Sequence, residues 1–127
     1  MTIATFEEVI AWQKGKQLYT SLYRDMVSSK DYFFRDQLLR ATLSITNNIA
    51  EGFDRGSHQE LRQFLIIARG SAAEVRSMLL LAAEVGAIPP GKQEHYILLA
   101  KNISRLLTGF IKSLHQQNAD NRQQRTV

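Results

Sequence analysis

Cysteine is absent from the sequence, proline occurs twice and glycine seven times. Without cysteine there are no disulfides, no thiolate metal ligands and no cysteine nucleophile. With few breakers, long stretches are free to be helical, and the dominant residues (Leu, Ala, Gln, Glu, Arg) are good helix formers, so the expected fold class is all-α. The longest uninterrupted apolar run is Met78 to Ala83. A membrane-spanning helix needs about 20 such residues, so no membrane partner is expected. The first thirty residues mix acidic, basic and aromatic side chains, which is not the pattern of a cleavable signal, and the expected location is cytoplasmic. Charge is only mildly one-sided, at +4. That value fits an ordinary solvated surface, and it also fits attraction to nucleic acid if the cations cluster.

Catalytic signatures are missing too. His58, His95 and His115 stand in no His-Glu-x-x-His or Glu-x-x-His pattern, no Gly-x-x-x-x-Gly-Lys-Ser/Thr loop occurs, and no serine sits in a nucleophile elbow. The expectation is a protein with no catalytic residues, no cofactor and no metal.

What the chain does have is helical periodicity. Thr5 and Glu8 have capping-box spacing. Val9, Trp12, Tyr19, Leu22, Tyr23 and Met26 then predict a first helix to about Val27, with Gly15 on its apolar face. After the polar break at 28–31, a second helix is predicted from Tyr32 or Phe33 to Phe53. Its core arc holds Phe34, Leu38, Ala41, Thr42, Ile45, Asn48, Ile49 and Gly52. Arg40, Ser44, Asn47 and Glu51 form a polar line opposite, either a solvated face or the lining of a polar interior shared between subunits. Ser57 and Glu60 open a third helix that Gly86 closes. Pro89 and Pro90 stiffen the link to a fourth helix, predicted from about Lys92 to His115. Residues 1–115 read as one domain and 116–127, polar and without a hydrophobic pattern, as a disordered tail. Long helices on short links predict an antiparallel up-down-up-down four-helix bundle.

The third helix has two apolar sides. One broad face carries Leu61, Phe64, Ala68, Ser71, Val75, Met78 and Ala82, with Leu65, Ala72 and Leu79 beside them. Ile66, Ala73 and Leu80 form a second ridge away from the first. Two separated ridges need two covers, and the second is expected from another copy of the chain, making a homo-oligomer.

Several stretches resemble one bacterial family. They are Phe6, Val9 and Trp12-Gln13-Lys14; Gln37 to Ala41; Ser44-Ile45; Asn48-Ile49-Ala50-Glu51-Gly52; Phe64-Leu65; Ala68 to Ser71; and Glu74. The family is the four-helix-bundle proteins encoded by intervening sequences of bacterial 23S rRNA genes, and the resemblance spans roughly residues 6 to 114. It implies a left-handed bundle assembled as a ring-like homopentamer. It further implies a relation to the accessory proteins of diversity-generating retroelements, similar basic pentamers that bind a reverse transcriptase and nucleic acid. It implies no enzymatic activity.

Two residue sets are candidates for function or its support. Arg62, Arg69 and Arg76 recur every seven residues on the third helix, and Lys101, Arg105 and Lys112 share one side of the fourth. They point to RNA or a ribonucleoprotein as partner, or else to salt bridges between subunits involving Glu60, Glu84 or Glu94. A protein-interaction scaffold without nucleic-acid binding is the alternative function. The second set, Asn48, Glu51, Gly52, Ser71 and Glu74, reads as a polar network that fixes helix register.

Overall fold

A computed structural model describes the backbone of residues 3–125 and the side chains of residues 3–115. A short 3-10 helix, Phe6–Glu8, precedes four α-helices: α1 Ile10–Met26, α2 Tyr32–Asp54, α3 His58–Val85 and α4 Gln93–Arg125. Among the described residues there is no strand. The contacts close a cycle, with α2 on α3, α3 on α4, and α1 on both α2 and α4, around one hydrophobic core.

Local chemistry sets the boundaries. The Asp31 carboxylate accepts from the Phe34 N–H at 3.3 Å and starts α2, while the Ser57 hydroxyl accepts from the Glu60 N–H at 3.1 Å and starts α3. Gly86 ends α3 at φ 70°, and the Ala87 N–H reaches back to the Ala82 carbonyl at 2.9 Å, the closure a left-handed residue permits. The Thr5 hydroxyl, by contrast, caps nothing. Glu8 accepts instead from the Ala4 N–H at 2.9 Å, and Val9 is extended between the 3-10 helix and α1. That break lets Val9 and Ala11 both turn inward and become buried.

The buried stripe of α1 is Ala11, Gly15, Leu18, Leu22 and Met26, a regular three-or-four spacing. Tyr23, expected inside, is half exposed and lies against Tyr19 with the rings tilted by 40° and their centroids 6.0 Å apart. Leu106 of α4 is also partly exposed. Helix α4 runs to Arg125, ten residues past the expected end at His115. Once nucleated, a helix propagates at one backbone bond per residue and needs no apolar stripe to do so. The tail 116–127, expected to be disordered, is therefore helical as far as Arg125; its side chains and the last two residues lie outside those described. No helix among the described residues is long and apolar enough to cross a membrane.

Candidate functional site

The side of α3 that carries Arg62, Arg69 and Arg76 borders α4. All three arginines are half-buried. The Arg69 Nη1 donates to the Thr108 hydroxyl of α4 at 3.3 Å, which fixes that guanidinium at the helix junction. Two turns further along α3, Arg76 joins Lys101, Ser104, Arg105 and Thr108 of α4 in lining an open hollow of about 430 Å³. Lys112 follows Thr108 by four residues on the same stripe of α4 and is exposed.

Among the described residues the ion pairs are Arg35–Asp36, Arg55–Glu51 and Lys92–Asp25. None includes any of the six candidate cations, and no carboxylate lines the hollow. The Arg62 Nε is buried with no hydrogen-bond partner among the described residues, and a buried donor left so calls for an acceptor. Cations held together without counter-charges make a local positive potential that draws anions. The sequence suggested two separate basic patches; the fold merges part of one with part of the other, placing Lys101 and Arg105 beside Arg76. Ser104 and Thr108 were missed. Their one sequence signal is their placement three residues after Lys101 and three after Arg105 on the basic stripe.

The polar network is smaller than expected and differently composed. The Asn48 amide donates to the Ser44 carbonyl at 2.7 Å and lies 3.0 Å from the Ser44 hydroxyl. That hydroxyl bonds the Ser71 hydroxyl of α3 at 2.8 Å, tying α2 to α3. Gly52 is buried against α3, where a Cβ would stand 2.5 Å from the Cβ of Phe64. Glu51 and Glu74 are not members. Glu51 is exposed and pairs with Arg55 one turn on at 2.8 Å, and Glu74 is exposed. An uncompensated carboxylate is costly at a helix junction, whereas hydroxyls and an amide satisfy one another there. Ser44, assigned to the polar line, belongs to this network instead.

A second polar cluster ties α1 to α4. Asp25 accepts from the Lys92 Nζ at 2.8 Å and from the Tyr96 hydroxyl, which also lies 3.2 Å from the Ser21 carbonyl. The bonds from Lys92 and then Tyr96 hold the Asp25 carboxyl below its ordinary pKa. Burial, and secondarily the neighbouring carboxylate, push the Tyr96 phenol up. His58, His95 and His115 are exposed.

Among curated proteins none matches this chain. A crystal structure solved at 1.70 Å, of a protein of unknown function from the S23 ribosomal protein family of Bacteroides thetaiotaomicron VPI-5482, has the same fold. Its TM-score is 0.75 at 25% identity, over 81% of this chain and 96% of that one. The sequence pattern of the 23S rRNA-intervening sequence proteins matches residues 7–109, which include α1, α2 and α3 whole, the first half of α4 and both polar clusters. The chain belongs to the 23S rRNA-intervening sequence protein family.

Proposed function

We propose that this protein is a non-enzymatic homo-oligomer of antiparallel four-helix bundles whose α3–α4 groove binds RNA or a ribonucleoprotein. The observation that carries the reading is the set of six cations along α3 and α4, none in an ion pair among the described residues, with Arg76, Lys101 and Arg105 around one hollow. Contacts across α2 and α3 support the antiparallel order: Ser44 meets Ser71, whereas Gly52, further along α2, meets Phe64, further back on α3. Assembly is supported by the outer side of α3, where Ile66, Ile67, Leu80 and Leu81 are exposed with the small residues Gly70, Ala73 and Ser77 between them. Small residues allow a second helix to approach closely, and the larger ones would be covered on contact. A pentameric ring is the assembly the family resemblance implies.

The test is binding of a labelled structured RNA to size-selected oligomer at about 50 and 200 mM salt. A protein making 6 to 10 phosphate contacts loses roughly 10³ to 10⁵ in affinity over that interval. A steep loss of this kind is expected. No binding by intact oligomer at the lower salt overturns RNA recognition and leaves the protein-interaction scaffold as the reading.

A further inference from the structure

We infer that the α3–α4 groove holds the sugar–phosphate backbone of a single nucleic-acid strand through its phosphates alone, without reading base or sugar. The inference rests on the RNA-binding function proposed above and specifies what that site recognises. The hollow is lined by Arg76, Lys101, Ser104, Arg105 and Thr108. Cationic nitrogens and hydroxyls are the donors phosphate oxygens take. The lining has no Asn or Gln to pair with adenine, no carboxylate to accept from cytosine, and no aromatic ring for a base to stack on. Guanine is the one base edge that Arg76, Lys101 and Arg105 are equipped to meet, so indifference to guanine is part of the test.

The arrangement is a track rather than a point. On α3 the arginines stand about 10.5 Å apart and together span about 21 Å. On α4, Lys101, Arg105, Thr108 and Lys112 follow at intervals of about 5 to 6 Å. Arg69 is braced by Thr108 at the middle of the track. Arg62, at one end, holds a buried Nε with no acceptor among the described residues. A single inorganic phosphate would occupy one section of this length; a strand offers successive phosphates along all of it.

Fluorescence anisotropy on the sized oligomer tests this with 20-residue oligo(U), oligo(A), alternating oligo(GA) and oligo(dT), titrated across about 50 to 200 mM salt. The four wild-type affinities are expected to agree within threefold. Arg76→Gln/Arg105→Gln is expected to lower the log–log salt slope by about 1.4, at roughly 0.7 per single-strand phosphate contact. The exposed Lys101→Gln alone should lower it by about 0.7 with little bearing on folding. Arg24→Gln/Lys30→Gln removes the same net charge from exposed sites outside the groove and should leave the slope unchanged. A tenfold preference for one oligomer, or an unchanged slope in both groove variants while wild type binds, overturns the inference and leaves the broader RNA-binding function standing. Tripolyphosphate that competes as well as a strand at equal phosphate concentration assigns the site to free phosphates and also overturns it. Failure of the wild type to bind any strand at about 50 mM while it binds structured RNA overturns the inference alone; failure to bind structured RNA as well defeats the proposed function itself.

Discussion

At the scale of single residues, Gly52 is the glycine with the least room for a side chain. A methyl group there would stand 2.5 Å from the Phe64 Cβ, an atom fixed to the α3 backbone, so α2 and α3 would have to separate. Gly52→Ala is therefore expected to destabilise by about 1 to 3 kcal/mol despite the better helix propensity of alanine, read as a lower urea midpoint. Gly15→Ala should cost less. Its new Cβ meets the Thr46 Cγ2 at 2.8 Å, and that group sits at the end of a side chain. Both glycines were legible in the sequence because each interrupts an apolar stripe where a larger side chain would otherwise pack. Asn48 stood out for the same reason. Ser44 did not, because its partner Ser71 is 27 residues away and two hydroxyls meeting across helices leave no local pattern. Glu51 and Glu74 were misplaced because their proximity to the core arc in sequence says nothing of which way a long carboxylate turns.

At the scale of elements, the helices and most caps followed from periodicity, and the errors lay where two elements share a residue. The first turn of α1 is one such case: burial of Val9 in the core wins over the local capping preference of Thr5 and Glu8. The Asp25–Lys92–Tyr96 cluster is another, since it joins α1 to α4 across 67 to 71 residues. Its effect on stability has a definite sign at each end of the pH range. Asp25 titrates below its ordinary 3.8 when folded, so its contribution is present above that value and fades as pH falls through the lowered pKa. Tyr96 titrates above its ordinary 10.0, so its contribution is present below pH 10 and fades as pH rises beyond it. Asp25→Asn should flatten the acid limb of a stability–pH profile and Tyr96→Phe the alkaline limb. Tyr96→Phe should also lower stability at neutral pH by about 1.5 to 3 kcal/mol, because one hydrogen bond to a carboxylate is lost while Lys92 remains paired with it.

At the scale of the whole molecule, the sequence made α3 apolar on two sides, and one chain covers only one of them. Leu65, Ala72, Val75 and Leu79 are fully enclosed, whereas Leu80 and Leu81 are 51% and 63% exposed. What meets the outer side is not written in this chain's own contacts, which is why the fold was more legible than the assembly. If copies associate through it, association stabilises only the folded state, and mass action makes the melting temperature depend on protein concentration. A hundredfold dilution through the dissociation range should lower Tm by several degrees, with the mass from light scattering falling in parallel. Leu80→Lys places an ammonium group in the middle of the ridge, where burial against a second helix would leave it unpaired. That variant is expected to keep its helical circular dichroism, to scatter as a smaller species and to melt at a temperature independent of concentration. A wild-type Tm that ignores dilution while the protein scatters as a monomer at micromolar concentration would mean that the ridge faces water.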